Sequence, residues 1–231
     1  MIRGLREKLT LIRFELFFST QLAVLFGSIL FPLAVFREYV LPVLFGTNII
    51  LGALFIRKES KWRYFSIGLF VISMGIFLVR ISNREFVTSA PTQLVVYFVF
   101  FVFVTRQIIS QIWNATEVNK TVIIGLMSGY VSLGFLSFIL FLGLEMFQPH
   151  SLGGIAPENQ GTDIHIDKVM YFAFITLLSI GYGDISPITP IAQKIAVLTG
   201  LTGQFYLTII TAVIVGKYLQ HNSIVQKRDS D

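Results

Sequence analysis

Ser179-Ile180-Gly181-Tyr182-Gly183-Asp184 sets two glycines around one tyrosine, and the reading of this stretch decides the fold. Glycine carries no Cβ, so Gly181 and Gly183 can take positive φ where other L-residues clash. A backbone that alternates hand in this way turns consecutive C=O groups onto a common side. The result is a ladder of oxygens. A plainer reading is a surface turn, since glycine and aspartate both favour tight turns. The flanks favour the first reading. Tyr171-Phe-Ala-Phe-Ile-Thr-Leu-Leu178 is too short to cross a bilayer and too apolar for water, which predicts a re-entrant helix, and spanning-length apolar segments lie on both sides.

Bulk composition agrees. Of 231 residues 54% are hydrophobic and 13% charged, with mean hydropathy +0.74, whereas a globular chain carries about 25% charged residues. Six apolar segments, at about 16–36, 39–56, 64–80, 92–110, 121–147 and 191–219, approach or exceed the roughly 17–25 residues that cross hydrocarbon. The third is the shortest, and Tyr64 and Arg80 can extend it into the interface. Short charged connections such as Arg57–Arg63 predict antiparallel neighbours. The expected fold is an all-α membrane protein of six transmembrane helices with a re-entrant helix between the fifth and sixth. At the N-terminus Ile2, Leu5, Leu9, Ile12 and Leu16 recur at helical spacing while Arg3, Arg6, Lys8 and Arg13 project elsewhere. This predicts an amphipathic helix along the inner membrane surface, the alternative being the end of the first span.

With both termini cytoplasmic, only Arg37, Arg80, Arg84, Lys168 and Lys194 of the 18 Lys and Arg fall outside. The positive-inside rule favours that orientation, and the expected location is the cell (plasma) membrane. The net charge of +5 and pI near 9.5 therefore reflect membrane orientation rather than nucleic-acid binding, for which no basic stripe with interleaved aromatics exists. The absence of cysteine excludes disulfides and thiolate metal sites. The first apolar segment has no small-residue cleavage site and is expected to remain as an anchor. Asn114-Ala-Thr116 and Asn119-Lys-Thr121 match glycosylation acceptors, but the topology puts both in the cytoplasm.

The 179–184 stretch resembles the selectivity-filter signature of the potassium-channel superfamily, with Ser179 where threonine is usual and Ile180 where valine is usual. The resemblance covers about 100 residues in the order outer helix, turret, pore helix, filter and inner helix; upstream it extends only to helix count, like the six-span voltage-gated type. It implies three regions: 1–120, the N-terminal amphipathic helix with four peripheral spans and linker; 121–219, the pore domain; and 220–231, a short cytoplasmic tail. It also implies a homotetramer around one axis, because the chain supplies a single copy of the ladder. The selectivity filter would be Ser179, Ile180, Gly181, Tyr182 and Gly183. Dehydrated K⁺, the permeant ion, would be held by the carbonyls of Ser179, Ile180, Gly181 and Tyr182 and by the Ser179 hydroxyl; no cofactor is expected.

The same resemblance assigns the filter's support. Tyr182 would point away from the axis toward the Thr176 hydroxyl, and Tyr171, where many relatives carry tryptophan, would donate to Asp184. Serine keeps the hydroxyl of threonine but loses its methyl, which predicts a looser innermost site. Gly203 falls where the family carries a hinge glycine, with close helix packing as the alternative. Four-residue steps from it reach Leu207, Thr211 and Val215, and Val215 is the expected inner constriction. An acidic outer mouth of Glu145, Glu158, Asp163, Asp167 and Asp184 would concentrate cations.

A voltage sensor needs arginines repeated along a helix, and the fourth segment has Arg106 alone, which predicts little or no voltage sensing. The residues after Leu219 are too few for a ligand-binding domain. No HExxH, nucleophile elbow or intramembrane carboxylate pair occurs, and His150, His165 and His221 lie in expected loops or the tail, which argues against an enzyme. A secondary transporter would show two halves with broken helices and buried charge.

Overall fold

The computed structural model describes residues 2–53, 61–82, 89–113, 120–155 and 166–229. The chain is helical almost throughout. α1 (Ile2–Phe26) ends in a 3₁₀ turn, Gly27–Ile29. α2 (Leu33–Val35) runs through a π-helical turn, Phe36–Val40, into α3 (Leu41–Ala53). Then come α4 (Lys61–Ser82), α5 (Ser89–Trp113), α6 (Lys120–Phe147), the short α7 (Ile166–Leu177) and α8 (Pro190–Asp229). Two dipeptide strands, β1 (Leu152–Gly153) and β2 (Ser186–Pro187), pair antiparallel around α7.

Among the described residues four helices are long and apolar enough to cross a membrane: Leu33–Gly52, Pro91–Trp113, Lys120–Phe147 and Pro190–Lys217. Shorter apolar helices at Phe14–Ile29 and Tyr64–Val79 occupy the expected first and third spans. The expected boundary of the first span, residue 36, is corrected. The chain breaks before Pro32, which has no N–H to donate and disfavours helix at Phe31, and Phe36 belongs to the next helix. Gly27 makes this corner tight, since a Cβ there would meet the Phe36 ring at 2.6 Å. α1 runs unbroken from Ile2 into the first apolar segment, and α8 continues through residues 220–229 of the expected tail.

α6 is the hub. It packs against α1, α5, α7 and α8, and small residues let those neighbours approach. A Cβ on Gly134 would lie 2.3 Å from the Phe174 ring of α7, and one on Gly125 would lie 3.1 Å from Phe14 of α1. Around the fully buried Phe135 stand Phe45, Phe101 and Phe174, with ring centroids at 5.5, 5.2 and 5.6 Å. α3, α5 and α7 thus meet on one ring of α6. Polar contacts set the register inside this apolar bundle: Gln21 Nε2 donates to Ser132 Oγ at 2.7 Å and Asn48 Nδ2 to Thr20 Oγ1 at 2.7 Å.

Charged contacts mark the two ends of the bundle. Arg37, carried on the π-helical turn, pairs with Asp167 in the first turn of α7. At the opposite end of α6, Lys120 meets Glu15 at 2.9 Å, and Lys217 Nζ donates to the carbonyls of Ile112 and Trp113 at 3.3 and 2.8 Å. A cation on the last carbonyls of α5 is favoured by the helix dipole.

Candidate functional site

The site begins where α7 stops. Leu178 N donates to Phe174 O at 2.9 Å, Ser179 N to Thr176 O at 3.0 Å and Ile180 N to Ile175 O at 2.9 Å. Those last two bonds close a Schellman motif with Ser179 at the left-handed position, φ 56°. Glycine is usual there, and a residue with a Cβ costs roughly 1–2 kcal/mol. Sequence reading placed positive φ only at Gly181 and Gly183; nothing local in the sequence marks serine for it. The cap spends the amides of Ser179 and Ile180 on α7.

Beyond the cap the backbone alternates. Ser179, Gly181 and Gly183 have φ of 56°, 57° and 82°, while Ile180 and Tyr182 between them keep negative φ. Among the described residues no group donates a hydrogen bond to the carbonyls of Ser179, Ile180, Gly181, Tyr182 or Gly183. A Cβ at Gly181 or Gly183 would meet nothing within 4 Å. Glycine is required there by backbone hand rather than by space.

The outer end of the stretch is moored to the segment after α6. β1 pairs Leu152 with Pro187 and Gly153 with Ser186. Gly154, at φ 84°, lies so close to the Asp184 carbonyl that a Cβ would sit 2.0 Å from its oxygen. Glu145 holds the same loop, accepting from His150 N at 3.1 Å and Leu152 N at 2.6 Å. It is a loop cap rather than a free carboxylate. Asp167 is likewise committed to Arg37, so of the five acids expected at the mouth Glu145 and Asp167 are spent within the chain; Glu158 and Asp163 lie outside the described residues. Tyr171 and Asp184 interact electrostatically at this outer end. Tyr182 is 71% exposed and, within one chain, makes no hydrogen bond to Thr176.

From the inner side α8 closes on the end of α7. It starts at Pro190 with Thr189 as cap, whose Oγ1 accepts from Ala192 N at 3.3 Å. Gly203 is buried, and a Cβ there would be 2.1 Å from the Leu177 carbonyl oxygen, which also accepts from Tyr130 OH at 3.2 Å. This gives Gly203 the packing role that stood as the alternative to a hinge. The next residue, Gln204, donates from Nε2 to Ser179 Oγ at 2.9 Å. Sequence reading missed it, since 25 residues separate the pair and a lone glutamine carries no motif. Leu207 and Val215 are exposed at 44% and 49%, as is Thr211.

A short helix ending in a stretch of alternating backbone hand thus lies between two long apolar helices. A family model described as "Ion channel" matches residues 134–220. Potassium voltage-gated channel subfamily A member 5 of Oryctolagus cuniculus is 32% identical over 87 residues, which is 37% of this chain and 14% of that relative. The Homo sapiens member 5 matches to the same extent. Subfamily A member 10 of Mus musculus is 28% identical over 86 residues, 37% of this chain and 17% of that protein. The chain therefore matches only about one-seventh of the first relatives' length. No solved structure matches. Over residues 134–220 the chain is similar to ion channels, and the relatives it matches are potassium channels rather than enzymes.

Proposed function

We propose that this protein is a passive potassium-selective channel in which four copies surround one axis and pass K⁺ through the backbone oxygens of Ser179, Ile180, Gly181 and Tyr182. The observation that carries the reading is the alternation of hand at Ser179, Gly181 and Gly183, which leaves those carbonyls without a protein partner. Unsatisfied backbone at membrane depth costs several kcal/mol per group, so such a stretch is tolerable only where water or ions complete it. A ring of carbonyls replaces the hydration shell of a cation. One chain supplies one wall of such a ring, and closed rotational symmetry supplies the rest.

Exposure supports the assembly. Only 17% of the Pro190–Lys217 window of α8 is buried within one chain, and Ile180 and Tyr182 are open. The remaining roles follow from placement. α7 is the re-entrant pore helix, whose C-terminal dipole favours a cation at the base of the ladder. Asp184 with Tyr171 and the β1–β2 ladder brace its outer end. Thr176 and Tyr182 can meet only between neighbouring copies. Residues 121–219 form the pore and 1–120 its periphery, with both termini cytoplasmic at the cell membrane, and Val215 narrows the inner mouth. Arg106 as the one arginine of α5 supports weak voltage dependence. A conductance that is flat with voltage in symmetric K⁺ is expected; a steep curve would overturn that part.

Reconstitution in liposomes tests the whole. K⁺ and Rb⁺ uptake blocked by Ba²⁺, with Na⁺ far slower, is the expected outcome. Sodium passing as readily as potassium would make this a broad cation pore, and no cation flux would make it a non-conducting subunit.

A further inference from the structure

We infer that Gln204 is a selectivity-determining positioning residue, which takes over from a missing methyl group the task of fixing the innermost oxygen of the conduction path. This rests on the channel reading above and deepens it. Serine at position 179 has a hydroxyl on an unbranched Cβ, so three rotamers are open to it where a β-branched residue would be held stiff at χ1. An oxygen that wanders among three directions makes a poor ligand. The Gln204 amide removes that freedom, donating from Nε2 to Ser179 Oγ at 2.9 Å. A donated hydrogen bond occupies one lone pair of the hydroxyl and leaves the other for a cation.

The arrangement around this bond makes Gln204 a fixed arm. Gly203 lets α8 approach until a Cβ would stand 2.1 Å from Leu177 O, so the Cα of the adjacent Gln204 is held against the end of α7. On the other side, Ser179 N is tied to Thr176 O at 3.0 Å and its φ of 56° is set by the helix cap. Both ends of the bond thus hang from one packed junction, where two helices otherwise meet through backbone and apolar contact. The looser inner site expected from a serine is tightened by a side chain from a different helix, 25 residues away.

The test is a double-mutant cycle in full-length protein purified as an oligomer and reconstituted, read by the K⁺/Na⁺ flux ratio and by calorimetric K⁺ binding in detergent. Gln204→Leu keeps the bulk and removes the donor; Ser179→Ala removes the acceptor. Each is expected to lower the flux ratio and K⁺ affinity by about twofold to tenfold, the range one hydrogen bond carries. The double variant should be no worse than Ser179→Ala alone, as coupled partners behave. In a Ser179→Thr background, where the added methyl fixes the hydroxyl, Gln204→Leu should change the ratio little. That rescue separates positioning from bulk packing. Equal ratios in wild type and Gln204→Leu, or strictly multiplicative single effects, would overturn the inference while leaving the channel standing. A wild-type protein that neither passes nor binds K⁺ would overturn the channel reading itself, and this inference with it.

Discussion

α6 and α8 are alike in the length that could cross a membrane, 28 residues each, yet half of the α6 window is buried inside the chain against 17% for α8. Their contact chemistry differs in the same sense. α6 presents Gly125, Gly129 and Gly134 to Phe14, Tyr206 and Phe174, so its small residues are filled from the same chain. α8 meets α7 tightly only at Gly203, Gly200 reaching the Thr176 carbonyl at 3.9 Å, while Val197, Leu198 and Phe205 are 62%, 58% and 60% exposed. Apolar character takes a segment out of water without saying what replaces the water. The complement of α6 is encoded within the chain; that of α8 must come from lipid or from further copies.

Substitutions can break this comparison or sharpen it. The largest effect is expected at the α6 hub. Phe135→Ala removes the ring on which α3, α5 and α7 converge and should cost about 3–5 kcal/mol, read as a fall in the denaturation midpoint of the purified protein. A loss as small as that at an exposed site would mean that α6 is not the hub. Gly203→Ala comes next. The obstructing atom is backbone, which cannot swing aside, so about 1–3 kcal/mol of strain is expected at the α7–α8 junction, with K⁺ selectivity lost alongside. Unchanged stability and selectivity would remove the packing role of this glycine.

Phe205→Ala probes the bare side of α8. Within a single chain an exposed site should cost about 0.5 kcal/mol or less. If other copies cover it, native mass spectrometry should find fewer tetramers; an undisturbed tetramer would assign that face to lipid. Val215→Ala is expected to have the mildest consequence, leaving fold and assembly intact while permeation in liposomes accelerates by dewetting relief. Unchanged flux would dismiss Val215 as a constriction.

Much of the site was legible as local pattern. Backbone hand is a property of single residues, so Gly181 and Gly183 announce positive φ in the sequence itself, whereas the pairing of Tyr171 with Asp184 is implied by the family resemblance alone. Contacts across the fold were not legible. Glu145 and Asp167 count as mouth carboxylates in a charge tally, but one caps loop amides and the other pairs with Arg37, because their neighbours come from a turn and a helix elsewhere in the chain. Ser179 carries no conformational label; its positive φ is imposed by the end of α7.

By itself the sequence determined that this chain enters a membrane, how its apolar segments are ordered and where two glycines open the backbone, since hydropathy and Cβ sterics act residue by residue. Only the tertiary structure decided that Gly203 is a contact surface, that Gln204 reaches Ser179, and that α6 is enclosed while α8 lies open. Those outcomes depend on which atoms helices far apart in the chain bring within 3 or 4 Å of one another, a distance that van der Waals and hydrogen-bonding forces resolve and that composition does not record.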